Sequence, residues 1–480
     1  MNIREVLRDY QLRALDFMVT KKVALEYDDM GLGKTLTTMA AVYELKGYPC
    51  LIVCPKFSLM VWKSEIERWL GMDSLIYSGK PKQREQIWKE FITSGCPFLI
   101  TNYEMVAEIA ERSGVLITRG KPTKYYNKTF FKWNAFIADE IHMGGVFNHK
   151  TQKYKAIRKI TKEIPIRYLL TGTPMRQGCV DLFGPLSIVD PIRFDSYWKY
   201  VNRYCTIIQD MFGKSIERNP SNLGEFRSML SGYMIRRVKE EVLHELPGKQ
   251  RQAFPVEMND VQKKIYDELT ENLIAEIPES GDFIITPGQL TLLVRQRQIL
   301  ACPKMLGIDD NGSALDAILQ DSHNSVDNGK PFAIFTPFRQ AVPFIEEEMK
   351  KEHPGIKIYK ITGGLTAEEF GNAWMSFQKD NYPKKLLICV IKSGASFQAT
   401  AADTAYFLGY EWDFTLNEQA EDRLNRMGQK NFVNIHYMTY RGTADDRVTL
   451  LLNSKKASSN LIVGTPEQYI KQLRQYRGSK

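Results

Sequence analysis

No apolar run in this sequence approaches the roughly 18 residues that a membrane span requires. The N-terminus carries Arg4, Glu5, Arg8 and Asp9 where a signal peptide would be apolar. A soluble intracellular protein is therefore expected. C-x-x-C pairs, the spacing that structural zinc sites favour, are missing among Cys50, Cys54, Cys96, Cys179, Cys205, Cys302 and Cys389. These seven are odd in number and read as reduced core thiols. Internal repeats and long low-complexity tracts are also missing, although 311–330 is polar enough for an exposed loop. What is present is an ordinary globular composition, 43% hydrophobic, 25% charged and 11% aromatic, which excludes wholesale disorder and a fibrous repeat. At roughly 150 residues per domain, 480 residues imply two to four domains. Lys+Arg of 65 against Asp+Glu of 56 gives +9, which suits a polyanionic partner and equally a solvated surface.

Short apolar runs alternate with longer amphipathic stretches, as when parallel strands are joined by crossover helices. The first series of strands is expected at Val23–Tyr27, Cys50–Cys54, Phe98–Ile100, Ala135–Ala138 and Tyr168–Leu170. A second is expected at Phe332–Phe335, Lys357–Tyr359, Leu386–Val390, Ala405–Leu408 and Val433–Tyr437. The fold class is thus α/β, with two parallel-sheet lobes. Between the series, 181–328 reads as helical insertions without strand-like runs. The turn chemistry of Leu246-Pro247-Gly248-Lys249-Gln250-Arg251 places the junction there, giving lobes over 1–245 and 246–480.

The run Asp28-Asp29-Met30-Gly31-Leu32-Gly33-Lys34-Thr35 follows a strand and opens a helix, the context of a phosphate loop. Met30, Gly31, Leu32 and Gly33 would curl backbone N–H groups around phosphate oxygens, Lys34 would add a compact positive charge, and Thr35 would ligate magnesium. ATP and Mg2+ are the implied cofactors. The general pattern has a glycine where this chain has Asp28, and a plain glycine turn before a helix is the bland alternative.

Ala135–Ala138 runs directly into Asp139-Glu140-Ile141-His142, which puts two carboxylates at the tip of a buried strand. Asp139 is suited to hold magnesium, Glu140 to orient and deprotonate the attacking water, and His142 to couple that site to its neighbours. The alternative is an acidic loop capping a helix. Thr171-Gly172-Thr173-Pro174 is a hydroxyl-bearing turn able to bond the acidic pair, or else an ordinary loop. In Gln419-Ala420-Glu421-Asp422-Arg423-Leu424-Asn425-Arg426-Met427-Gly428-Gln429, Arg423 and Arg426 share a face if helical. They would reach a γ-phosphate when the lobes close, unless they form surface salt bridges with Glu421 or Asp422.

These residues resemble helicase superfamily two, and within it the Snf2 family of DNA translocases, over essentially the whole chain; the departure at Asp28 is shared by that family. The resemblance implies two RecA-like lobes and places an adenine-reading glutamine at Gln11. Ile52-Val53-Cys54-Pro55-Lys56 is similar to motif Ia and Ile100-Thr101-Asn102-Tyr103-Glu104 to motif Ib, which contact the DNA backbone in the family. Arg203-Tyr204-Cys205, Met234-Ile235-Arg236-Arg237-Val238-Lys239 and Gly442-Thr443-Ala444-Asp445-Asp446 resemble the annealing-helicase branch, in which ATP hydrolysis drives translocation, rewinding and fork remodelling. Ser393-Gly394-Ala395-Ser396 departs from the family's glycine-rich motif V and is one residue shorter. The resemblance leaves no room for targeting modules, so a bare motor is expected, in a bacterial or viral replication or recombination setting.

The expected DNA grips are Lys56, Thr101 and Asn102 in the first lobe, and Thr362, Gly363, Lys392 and Ser393 at equivalent strand ends of the second. Gln419 joins His142, Thr171, Gly172 and Thr173 as a coupling residue. Duplex or forked DNA, bound without regard to sequence, is the expected partner, with replication or recombination proteins beside it, no membrane, and the protein a monomer. Arg112, Arg119, Lys121, Lys124, Lys128 and Lys132 are interleaved with Tyr125, Tyr126, Phe130, Phe131 and Trp133. That segment is a junction-binding candidate or a hairpin whose aromatics pack on the lobe. Lys150 to Lys162 reads most simply as a solvated helix face. A strand-separating DNA or RNA helicase and a DNA-binding pseudo-enzyme with structural ATP are the competing functions.

Overall fold

The computed structural model describes residues 3–115, 130–172, 179–210, 213–243, 245–275, 287–393, 397–412 and 414–443. The chain divides into two compact units, Met1–His244 and Glu245–Lys480.

The first unit carries β1 (Val23–Glu26), β2 (Cys50–Cys54), β3 (Ser74–Tyr77), β4 (Phe98–Asn102), β5 (Ala135–Ala138), β6 (Ile166–Leu170), β7 (Cys205–Asp210), β8 (Gly213–Pro220) and β9 (Met234–Ile235). Its helices are led by α1 (Asp9–Lys21), α2 (Lys34–Glu44), α3 (Leu59–Leu70), α4 (Pro81–Ser94), α5 (Val106–Arg112) and α6 (Gln152–Ile160). Seven strands form one sheet in the order β3-β4-β2-β5-β6-β1-β9, with every pairing parallel. β2, β4 and β5 are buried along their whole length, because helices cover both faces of a parallel sheet. Alternation on β2 shows this directly. Leu51 and Val53 enter one core cluster, while Cys50, Ile52 and Cys54 enter the other. Parallel pairing also brings Glu26, Cys54, Asn102, Ala138 and Leu170 to one edge of the sheet, where ligands of open α/β folds bind.

The second unit holds β10 (Lys249–Val256), β11 (Phe332–Thr336), β12 (Lys357–Ile361), β13 (Lys385–Val390), β14 (Thr404–Phe407) and β15 (Val433–Tyr440). They form a parallel six-stranded sheet in the order β10-β15-β14-β11-β13-β12.

The stretch 181–328 is not free of strands, contrary to expectation. It contains the antiparallel hairpin β7–β8, the two-residue β9 and the eight-residue β10. β10 runs beside β15 from Lys249↔Val433 to Val256↔Tyr440, so Lys249–Arg251 belong to a strand instead of a turn. Its polar Gln250 and Gln252 are exposed and it holds Pro255, features of an edge strand that conceal it from an apolar-run reading. β9 escapes because it is only two residues long, and β3 because it opens on a serine and its two central residues are only half-buried, as on an edge strand. Among the described residues, no helix is long and apolar enough to cross a membrane.

Candidate active site

β1 delivers the chain into the phosphate loop, where Gly31 (φ 86°) and Gly33 (φ 79°) take left-handed conformations that a side chain would oppose. Gly33 caps α2, and Lys34 is the first residue of that helix. The Lys34 ammonium is buried and donates to the carbonyls of Asp28 (2.8 Å) and Asp29 (3.2 Å). Thr35 follows, half-buried. Thr38 donates to Glu26 Oε2 at 2.7 Å. Burial, then the charge of Asp28, push the Glu26 carboxyl up to about 8, with the Thr38 hydroxyl opposing in part. Gln11 reaches the same loop: its Nε2 donates to the Leu32 carbonyl at 3.1 Å, as does the Tyr10 hydroxyl at 3.1 Å, and its Oε1 accepts from the Arg8 N–H at 3.0 Å.

Asp28, where the general loop has glycine, is buried and held by Arg237. The backbone N–H and Nε of Arg237 each donate to Asp28 Oδ1 at 3.0 Å, while Nη2 donates to Oδ2 and Nη1 to the Tyr10 carbonyl. The guanidinium also lies 5.2 Å from the centre of the Tyr10 ring. β9 brings it there by pairing Leu25 with Met234 and Glu26 with Ile235. The pairing continues as Asp29 N–H donates to the Arg237 carbonyl (3.0 Å) and Lys239 N–H to Asp29 Oδ2 (3.1 Å). Sequence reasoning assigned Arg237 no role. The available signal was Asp28 itself, since an acid that replaces glycine in a buried loop requires a cation.

At the end of β5, Asp139 Oδ2 accepts from Trp62 Nε1 at 2.9 Å and the Asp139 carbonyl accepts from the Tyr103 hydroxyl at 2.6 Å. A Cβ on Gly144 would lie 2.2 Å from that Tyr103 ring, so the turn after the acidic pair must be glycine. Glu140 has φ 49°, a left-handed value rare for a residue with a side chain and characteristic of functional positions. His142 Nδ1 sits 2.8 Å from Thr171 Oγ1 and 3.3 Å from Glu140 Oε2. Next to Thr171, a Cβ on Gly172 would fall 2.6 Å from Met30 Cγ, so this turn abuts the phosphate loop. Thr173 lies outside the described residues. Burial, then the Glu140 charge, push Asp139 up to about 7, against the Trp62 hydrogen bond and the Lys34 charge. Two adjacent buried carboxylates that repel one another fit a divalent cation, which would relieve that repulsion.

In the second unit, the helix Phe414–Glu421 ends before the arginines, which lie in turns instead of on one helix face. Arg423 is 2% exposed, with its guanidinium 5.7 Å from the Phe397 ring centre, and its carbonyl accepts from Ala399 N–H at 2.8 Å. Arg426 Nη1 donates to the Phe397 carbonyl at 3.4 Å, so both arginines converge on that residue. Gln419 is buried nearby in sequence. The Glu421 carboxylate is fully buried and takes Lys249 Nζ (2.7 Å), Arg251 Nε (2.8 Å) and the Tyr437 hydroxyl (2.8 Å). Burial alone would raise its pKa, but Lys249 and Arg251 hold it below the usual carboxylate value. The strand missed in the sequence thus supplies the cations that anchor the arginine segment.

A profile of the SNF2-related domain matches residues 10–305. The chain belongs to the SNF2-related family. It is 28% identical over 438 residues to the human "DNA annealing helicase and endonuclease ZRANB3", covering 89% of this chain and 37% of that protein. It is 26% identical to the "SWI/SNF-related matrix-associated actin-dependent regulator of chromatin subfamily A-like protein 1" of Xenopus tropicalis, covering 94% of this chain and 44% of that one. The chain therefore spans about two fifths of the length of these relatives. Among solved structures it is similar to the Sulfolobus solfataricus SWI2/SNF2 ATPase core in complex with dsDNA, at 22% identity and TM-score 0.45, covering 99% of this chain and 97% of that one.

The DNA grips expected of this SNF2-related chain divide into accessible and inaccessible groups. Lys56 is exposed in the turn after β2. Thr101 is fully buried and its hydroxyl donates to the Tyr77 carbonyl at 3.0 Å, so its side chain offers no surface to a phosphate. Asn102 is 6% exposed and its Oδ1 accepts from Met105 N–H at 3.2 Å, a turn cap in place of a grip. Thr362 and Gly363 are half-buried, and a Cβ on Gly363 would sit 3.4 Å from Ser393 Oγ, which brings the two expected grips of the second unit side by side. Lys392 is exposed and pairs with Glu411 at 2.9 Å. Arg339, not anticipated, stands 3.3 Å from where a Cβ on Gly364 would be. In the basic-aromatic segment, 116–129 lie outside the described residues, with Arg119, Lys121, Lys124, Tyr125, Tyr126 and Lys128 among them. Arg112 is buried and bridged to Glu85 (2.9 Å) and Glu108 (3.2 Å), hence unavailable to DNA. Phe131 and Trp133 pack on Trp88 and Phe91, as in the bland alternative, and leave Phe130 and Lys132 exposed.

Proposed function

We propose that this SNF2-related chain is a magnesium- and DNA-dependent ATPase that moves on duplex or branched DNA. The observation that carries the reading is the wiring of one sheet edge. Gly172 abuts the phosphate loop at Met30, and beside it Thr171 bonds His142, which faces Glu140. Lys34 exchanges its bonds to the loop carbonyls for phosphate oxygens, and Gln11 is placed to report on the base through Leu32. Thr35 and Asp139 would hold the magnesium ion, which supplies neutralisation of phosphate charge. Glu140 accepts the proton of the attacking water, and the His142–Thr171 pair carries its state to the loop. Arg423 and Arg426 supply guanidinium groups to the charge that develops on the transferred phosphoryl group. Lys56, Lys392, Ser393 and the Thr362-Gly363 turn hold the DNA backbone without reading sequence. The names of the annealing-helicase relatives favour movement along duplex over strand separation.

The test is steady-state ATP hydrolysis with single-stranded, duplex and forked DNA and with RNA, in wild type and in Glu140→Gln. Stimulation by duplex or fork, reduced about 10²- to 10⁴-fold in the variant, supports the motor. Stimulation chiefly by single strands or RNA favours an unwinding helicase, and no turnover on any substrate favours a DNA-binding pseudo-enzyme.

A further inference from the structure

Lys155, Arg158 and Lys159 on α6, with Lys162 in the turn that follows, recur at i, i+3, i+4 and i+7. That spacing stacks side chains along one helix face. The remaining face, Tyr154, Ala156, Ile157 and Ile160, is buried in the core. A solvated helix usually interleaves both signs so that neighbouring turns pair. α6 itself carries no acidic residue, and the one carboxylate of the turn that follows, Glu163, stands beside Lys162. Lys153, which lies off the stripe, is paired with Glu104 at 2.7 Å.

The stripe forms one wall of an open groove of about 500 Å³. His149 and Tyr197 stand in the other wall, their rings stacked 4.0 Å apart at 23°. The groove's one carboxylate, Asp195, is bridged to Lys199 at 3.0 Å, and its backbone carbonyl accepts from Arg158 Nη2 at 3.2 Å. Seven residues of helix rise about 10 Å, and one strand of duplex carries a phosphate roughly every 3.4 Å of axis, so the stripe matches about three consecutive phosphates. Thr151, which caps α6, donates its hydroxyl to the Gly145 carbonyl at 3.0 Å, and this ties the start of the helix to the turn that follows Asp139–His142.

We propose that this groove binds the phosphodiester backbone of one nucleic-acid strand, with the His149–Tyr197 stack as the platform for a base at its end. The inference rests on the DNA reading above and adds a contact that the grips expected from the sequence do not include. Cations flanked by stacked aromatics are the pattern of single-strand channels, whereas an acidic protein segment would need no aromatic platform.

The experiment compares wild type with Lys155→Gln/Lys159→Gln/Lys162→Gln and with Tyr197→Leu, by binding to forked, blunt duplex and single-stranded DNA across 50–200 mM salt. Thermal unfolding serves as the control for folding, and these exposed lysines should leave it unchanged. In the triple variant the slope of log K against log salt should fall by about 2 to 3, so that the affinity lost over that range is about 15- to 60-fold smaller. A fall on blunt duplex as well as fork identifies duplex backbone as the occupant. A fall on fork and single strand only, with several-fold weaker binding by Tyr197→Leu, identifies an unpaired arm. Unchanged slopes on all three DNAs in a folded triple variant overturn the inference, as does loss of an acidic peptide's binding with DNA binding intact. Wild type that binds no DNA refutes the motor reading itself.

Discussion

Replacing Arg237 with Met should destabilise the first unit and weaken nucleotide binding together. The guanidinium is 13% exposed and its partner carboxylate 1%, so the pair is nearly dry. Truncation leaves Asp28 buried without its cation and removes the side-chain bonds to Asp28 and to the Tyr10 carbonyl. Removing one member of a buried pair costs about 3–5 kcal/mol. The residual exposure of Arg237 and the nearby Lys34, whose ammonium already bonds the Asp28 carbonyl, argue for the lower end, about 3 kcal/mol. For a unit of this size that is a fall in Tm of about 6–12 °C. Because Tyr10 and Gln11 bond Leu32 in the phosphate loop, the same variant should raise KM for ATP more than it lowers kcat. The assay is a double-mutant cycle with Asp28→Asn, read by chemical unfolding. A coupling of about 2 kcal/mol is expected, and additivity within about 0.5 kcal/mol would refute the claim that this pair organises the loop.

Three further outcomes follow from the same geometry. Glu26→Gln should stabilise the first unit increasingly as pH rises. The folded carboxyl is pushed up to about 8 and the unfolded one titrates near 4.3, so wild type loses stability across that window, on the order of 2–5 kcal/mol. Equal unfolding curves for the two proteins at pH 5 and pH 8.5 would contradict this. Trp62→Phe removes the donor to Asp139 Oδ2 and should raise the magnesium concentration for half-maximal hydrolysis about 10- to 100-fold, measured by metal titration at saturating ATP. Glu421→Gln leaves Lys249 and Arg251 facing a neutral group in a buried place, and should cost the second unit about 3 kcal/mol in denaturant unfolding. Wild type should also lose this contribution as pH falls, since Glu421 titrates below an ordinary carboxylate.

The sequence by itself determined the central strands and the groups at their tips. Cys50–Cys54 and Ala135–Ala138 are continuous apolar runs of the kind a doubly covered parallel sheet buries; Asp139-Glu140 adjoins one directly, and Gly33-Lys34 follows the strand Val23–Glu26 after one short loop. Local chemistry suffices there, because backbone conformation, charge and strand end lie within a few residues of one another. Edge strands were not legible in the same way. Lys249–Val256 opens with four polar residues in a row, Lys249-Gln250-Arg251-Gln252, and is a strand only because Val433–Tyr440 lies beside it. The partners of charged groups were hidden for a related reason. Arg237 meets Asp28 across 209 positions and Arg251 meets Glu421 across 170, and no periodicity encodes such pairings. Burial likewise separated residues that the sequence treats alike: Lys56 reaches solvent, while Thr101 spends its hydroxyl on Tyr77 inside the sheet. Only the tertiary structure decides which polar groups face water, since exposure depends on what packs against a strand end and not on the residue alone.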